Sequence, residues 1–155
     1  MKIALSLGRS AREMQFARQL GLKYVVSALP ANPKGYLELD DLLRARDEFA
    51  GYGLSFDVIE NLPTPHYYKA MFGLPGRDEQ IANVRTTIRN MGKAGISVLQ
   101  YQWMLLGGLR TEYCPVGRGG ARVSRFDWDV ALRSPIAALD WRPGPEGLIH
   151  TPDRA

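Results

Sequence analysis

A chain of 155 residues and 17.3 kDa, 45% hydrophobic and 23% charged, is one domain's worth of sequence, able to bury about two-thirds of its unfolded surface. The formal charge of +4 is mixed in sign, 13 Lys and Arg against 10 Asp and Glu over residues 1–104 and 7 against 6 over 105–155, so no basic block of the kind that grips nucleic acid is expected to form. One cysteine, Cys114, and two histidines exclude an internal disulfide and an all-Cys/His zinc cage.

No apolar run reaches the roughly 18–20 residues of a membrane span. The opening MKIALSLGRSAREM turns charged before a signal peptide could be completed, so a cytoplasmic protein with no membrane partner is expected. Lys2–Leu7 reads as a first strand closed by Gly8. Ser10 caps a helix whose apolar stripe is Met14, Phe16, Ala17 and Leu20, ending at Gly21. Lys23–Leu29 is a β-branched second strand stopped by Pro30. Asp40 and Asp41 suit the first turn of a second helix that stops at Gly51 or Gly53. Ser55–Ile59 is the third strand, and a Pro-rich loop follows it. Asp78 opens the longest helix, with Ile81, Val84, Ile88 and Met91 spaced for one buried face and Gly95 at its end. Ile96–Met104 is the fourth strand.

Four strands alternating with three helices predict an α/β fold built of βαβ units around a parallel sheet. Past Met104 the texture changes: residues 105–155 hold 7 Gly and 5 Pro and no lysine, which reads as loop and tail. The expected organisation is a β/α body over residues 1–131 and an irregular tail over 132–155. A four-stranded parallel sheet has two unpaired borders, which invite association.

In parallel α/β folds the functional groups gather at the C-terminal strand ends. That rule selects Arg9 and Ser10 after strand one, Glu60, Asn61 and His66 after strand three, and Tyr101, Gln102, Trp103 and Arg110 after strand four. Arg110 has the fork geometry for a carboxylate, Trp103 and Tyr101 offer faces for a sugar, and Glu60 or His66 could move a proton. Each also has a structural reading: Glu60 bonding turn amides, His66 solvated in its loop, Arg110 on the surface, the two aromatics in the core. Cys114 has no neighbouring His or helix start to lower its pKa and reads as structural. The glycines of GLPGRDE read as a turn into a helix, and VGRGGARV matches neither a dinucleotide fingerprint nor a P-loop.

The runs VIENLP, LPGRDEQIANVRTTIRNMGKAGISVLQY, LRT at 109–111 and RGGARVSRFD at 118–127 resemble the N-terminal half of the D-mannonate dehydratases, sugar-acid lyases of the xylose-isomerase-like TIM-barrel group. The resemblance covers residues 1 to about 130 and ends after Ala131. It implies a truncated (β/α)8 barrel and the conversion of D-mannonate to 2-dehydro-3-deoxy-D-gluconate and water in hexuronate catabolism. It also implies a Mn²⁺ or Fe²⁺ cofactor whose His, Cys and Asp ligands lie on later strands of the family, unmatched by His150 or Cys114. Arg110 and Thr111 stay in register with the family's RT pair, although YQWMLLGGLRT departs from its YNFMP and WRT. PTPH is one position out of register with its VHE. Arg110, Glu60, Trp103, Tyr101 and His66, chosen by their places at the strand ends, are the expected substrate-binding set, with the resemblance adding weight to Arg110 and ranking His66 below it. A sugar isomerase or epimerase half-barrel, or a non-catalytic β/α module, is the alternative. Self-association, or pairing with a C-terminal half, is expected either way.

Overall fold

The structure, a computed structural model, describes residues 1–103, 110–133, 141–144 and 147–150. The chain forms two compact units, Met1–Trp103 and Met104–Ala155. In the first, strands β1 (Ala4–Ser6), β2 (Tyr24–Ser27), β3 (Ser55–Glu60) and β4 (Val98–Gln100) form a sheet in the order β1-β2-β3-β4. Every pairing is parallel. Helices α1 (Ala11–Gln19), α2 (Leu39–Gly51) and α4 (Arg77–Ala94) make the crossovers, and a short α3 (Tyr68–Phe72) lies in the loop after β3. The predicted α/β alternation is borne out as four parallel strands with intervening helices, with no closed barrel among the described residues.

The starts and stops have local causes. Ser10 accepts a hydrogen bond from the Glu13 amide at 3.3 Å while its hydroxyl donates to Glu13 Oε2 at 2.5 Å, a reciprocal cap that satisfies the opening turn of α1. Ser10 is therefore committed to the helix. Gly95 ends α4 at φ 76°, a backbone state that costs a residue with a Cβ.

One face of the sheet is packed. Val25, Phe56 and Ile59 are buried with Met14 and Ala17 of α1, Leu42, Ala45 and Phe49 of α2, and Met91 and Ala94 of α4. Strand β3 carries a bulge: Val25 pairs Phe56 while Val26 pairs Val58, leaving Asp57 as the extra residue. Strict alternation would place Phe56, Val58 and Glu60 on one face. The bulge resets the phase, so Phe56 and Ile59 both enter the core and Glu60 emerges on the opposite face.

Two predicted stripes are corrected. In α1, Met14 and Ala17 are buried but Phe16, and Leu20 at the helix's C-cap, are half exposed. In α4, the inward face is Gln80, Val84, Thr87, Met91 and Ala94, while Ile81 and Ile88 stand out at 48% and 52% exposure. The 3.6-residue period identifies an apolar sector but not which part of it meets a neighbour.

The buried Thr87 hydroxyl accepts the Leu37 amide at 3.0 Å, anchoring the loop before α2 to α4. Thr87→Val keeps the shape and strands that amide, so we expect a loss of about 1–3 kcal/mol in urea unfolding; a change under a few tenths would show the loop is held by packing alone.

The second unit contains a hairpin of β5 (Glu112–Cys114) and β6 (Val123–Arg125), helix α5 (Trp128–Arg133), and a hairpin of β7 (Trp141–Gly144) and β8 (Gly147–His150). The expected irregular tail thus includes paired strands. Pro and Gly density marks the connections of paired strands as well as loops.

Candidate functional site

The C-terminal ends of β1 and β3 bring polar side chains together on the face away from the core. Ser6 at the end of β1 donates its hydroxyl to Glu60 Oε2 at the end of β3, reaching across β2. Asn61 follows with φ 62°, a left-handed conformation that asparagine tolerates. Its amide N–H bonds the Gln100 carbonyl of β4 at 3.1 Å, and its Oδ1 is buried without a partner among the described residues. At the opposite end of the same sheet, Lys2 pairs Asp57 at 2.5 Å and lies 4.6 Å from the Tyr24 ring. Burial pushes the Asp57 carboxyl up, but the Lys2 and Ser55 hydrogen bonds outweigh it and hold the group below the usual range.

His66 is 2% exposed, which removes the solvated-loop reading. Its Nε2 lies 3.0 Å from the Asn32 amide nitrogen and 3.1 Å from the Asn32 carbonyl oxygen, so either ring tautomer keeps the contact with Asn32, and its Nδ1 is buried with no partner among the described residues. Two anchors fix this loop. Gln80 on α4 accepts the Lys69 and Ala70 amides at 2.7 and 3.3 Å and donates to the Pro65 carbonyl at 2.7 Å. Asn32 donates to Asp41 at 2.7 Å and Glu38 at 3.2 Å at the start of α2, while its own Oδ1 accepts the Lys34 amide at 2.9 Å. Asn-Pro followed by Gly35 is a turn signal that marks Asn32 in the sequence, but its hold on His66 is tertiary. Ser6 carries no sequence signal beyond its place at a strand end.

Burial holds the His66 imidazole below its usual pKa of 6.5, with the Asn32 contact acting in the opposite sense. The unfolded chain therefore binds a proton near pH 6.5 that the folded chain takes up only at lower pH, and stability falls as pH drops from about 7 to 5. The carboxylates held low, Asp41 chiefly by Asn32 and Glu13 chiefly by Ser10, lose their contribution only below about pH 4.5. Urea midpoints should slope between pH 7 and 5 in the parent and flatten in His66→Gln. Parallel slopes in the two proteins would assign the effect elsewhere.

The aromatics take different roles from those expected of a strand. Residues 101–103 lie beyond β4, Tyr101 is exposed, and Trp103, 58% exposed, stacks on Tyr67 with centroids 5.9 Å apart and planes at 19°. They line an apolar groove of about 290 Å³ with Leu62, Val84, Ile88 and Leu99. A second cleft, about 500 Å³, lies by Arg9, Asn32, Asp41, Arg44 and Glu48. Its arginines are already paired, Arg9 with Glu48 and Arg44 with Asp41. Arg110 belongs to the second unit, where its Nε donates to Ser124 Oγ at 3.0 Å beside the β5–β6 hairpin. Cys114 is half-buried in β5. Among the described residues no three His, Cys, Asp or Glu side chains are grouped to hold a metal ion, and no helix is long and apolar enough to cross a membrane. The side chains described do not fit the divalent cation that the sequence resemblance implies.

Parallel strands with helical crossovers on one face and polar groups at their C-terminal ends define a protein of the β/α-barrel class. The comparisons narrow this. The family profile described as D-mannonate dehydratase (UxuA) matches residues 3–140, beyond Ala131, where the sequence reading ends the resemblance. The mannonate dehydratase of Rhizobium meliloti is 34% identical over 129 residues, covering 82% of this chain and 30% of that protein. That of Streptococcus equi subsp. zooepidemicus is 38% identical over 120 residues, covering 76% and 32%. The crystal structure of mannonate dehydratase from Streptococcus suis serotype 2 shares the fold with a TM-score of 0.75 at 24% identity, over 86% of this chain and 39% of that one. The chain belongs to the D-mannonate dehydratase family. It spans about a third of the length of these two curated relatives.

Proposed function

We propose that this chain forms part of a sugar-acid lyase that dehydrates D-mannonate to 2-dehydro-3-deoxy-D-gluconate in cytoplasmic hexuronate breakdown. The observation that carries the reading is the family match over residues 3–140. The reaction removes the proton on the carbon beside the carboxylate and expels the hydroxyl from the next carbon, so negative charge builds on the sugar acid. In this reading Glu60 and Ser6, already hydrogen-bonded to each other, orient substrate hydroxyls. Trp103 and Tyr101 offer their exposed faces to the C–H side of the sugar. His66, held at Nε2 by the Asn32 backbone, moves a proton, and Arg110 forks onto the carboxylate. No step is assigned to a metal, because the described side chains do not fit one.

The test joins residues 1–133 to the remaining portion of the Streptococcus equi relative and follows 2-keto acid formation from D-mannonate with Mn²⁺ present. Turnover is expected. A folded fusion that ignores D-mannonate and converts a ketose or its epimer would replace the lyase reading with the isomerase one.

A further inference from the structure

Gln80, in the first turn of α4, is 9% exposed, and its carboxamide bonds one short stretch of chain at three points. Its Oε1 accepts the Lys69 and Ala70 amides at 2.7 and 3.3 Å, and its Nε2 donates to the Pro65 carbonyl at 2.7 Å. Lys69 and Ala70 open α3, where the first N–H groups find no partner within the helix. A helix ordinarily meets that need locally, with Ser, Thr, Asp or Asn at the residue before it. Here that residue is Tyr67, which makes no side-chain cap. Its ring stacks on Trp103 instead and lines the apolar groove with Tyr101 and Leu62. The cap therefore comes from α4, and position 67 is released to carry an aromatic ring. Pro65 and Lys69 bracket His66 and Tyr67, so one side chain ties down both ends of the segment that bears them.

We propose that Gln80 is a positioning residue of the lyase site: from α4 it fixes the place of His66, the group that moves a proton in the proposed reaction, and of Tyr67 beside Trp103. Asn32 holds the imidazole at Nε2, but one point of attachment sets the distance of a ring and not its direction. The Gln80 bonds on either side of His66 supply the second constraint. An apolar side chain in the same place would leave two amides and a carbonyl unpaired, so the clamp is held by its hydrogen bonds and not by its shape. The inference rests on the reading of His66 as a member of the D-mannonate site. The two can fail separately, because the placement of the ring is read without substrate.

The imidazole NMR resonances of the 155-residue chain, with His66 told from His150 by its loss in His66→Gln, report the ring directly. In Gln80→Met, which keeps the length and removes every bond of the clamp, the His66 titration should rise toward the ordinary value of about 6.5 as its loop opens to water. In the fusion of residues 1–133 with the relative's remaining portion, Gln80→Met should lower kcat for D-mannonate by about 10-fold to 100-fold, with a smaller change in KM. The acidic limb of its pH–rate profile should move with the His66 titration. Gln80→Glu keeps both amide acceptors and loses only the Pro65 bond. It should fall between parent and Gln80→Met in both measurements, and it decides the matter if Gln80→Met loses its cooperative melting. An unchanged His66 titration in the folded variant would overturn the role, and so would a shifted titration with kcat and pH profile unchanged. A parent fusion that ignores D-mannonate would end the substrate reading alone, and the titration would still decide whether Gln80 holds His66.

Discussion

Phe49→Ala is expected to destabilise the first unit by about 3–5 kcal/mol, a large part of the 5–15 kcal/mol that holds a typical domain folded. Phe49 is fully buried on α2, with its ring centroid 5.2 Å from that of Phe56 on β3 and the planes tilted by 40°. It lies in the same buried cluster as Leu42, Ala45 and Ile59. Truncation removes the burial of a large ring and leaves a cavity that helix and strand can close only by moving together. Urea denaturation of the parent and variant measures the difference. Phe16→Ala serves as the contrast, since Phe16 is half exposed and its loss should cost well under about 1 kcal/mol in a monomeric reference. A Phe49→Ala loss no larger than that of Phe16→Ala would show that α2 and β3 do not form the core described here.

In the fusion with a relative's remaining portion, Arg110→Ala should lower kcat/KM for D-mannonate by about 30-fold to 150-fold, the equivalent of roughly 2–3 kcal/mol for a charge-assisted pair. A guanidinium binds a carboxylate through two parallel N–H donors, so Arg110→Lys should recover only part of the loss. Arg110 also donates to Ser124, and Ser124→Ala separates the roles: a hairpin-bracing arginine predicts that it reproduces the Arg110→Ala defect, a substrate-binding arginine predicts that it does not. Glu60→Gln keeps the shape and removes the charge. It should fall near Arg110→Ala if Glu60 orients a hydroxyl and stay near the parent if it only tethers Ser6. Unchanged efficiency in Arg110→Ala would remove this residue from the proposed site.

Much of the architecture was legible locally. β-branched runs with a two-residue period, helices opened by Ser10 or by the acidic pair at Asp40 and Asp41, and stops at Gly21, Gly53 and Gly95, all at positive φ, are decided by the conformations that a few neighbouring residues permit. Alternation of such segments then leaves a parallel sheet as the economical arrangement. The family was legible because its longest motif, GRDEQI with TIRNMGKAGI, falls on the continuous helix α4 and the turn after it.

What the sequence did not reveal depends on partners distant in the chain. Glu60 faces Ser6 rather than the helices because a bulge at Asp57 shifts the phase of β3 against β2, and register belongs to a pair of strands rather than to either one. His66 is held at Nε2 by the Asn32 turn, itself pinned to Asp41 and Glu38, from 34 residues away. Ile81 and Ile88 follow a helical period yet face outward, since a period identifies an apolar sector and only the packed neighbours decide which part of it is covered. Helix and strand type were set by local sterics and periodicity; the facing of Glu60 and the burial of His66 were set by contacts that exist only once β1, β2 and β3 lie side by side.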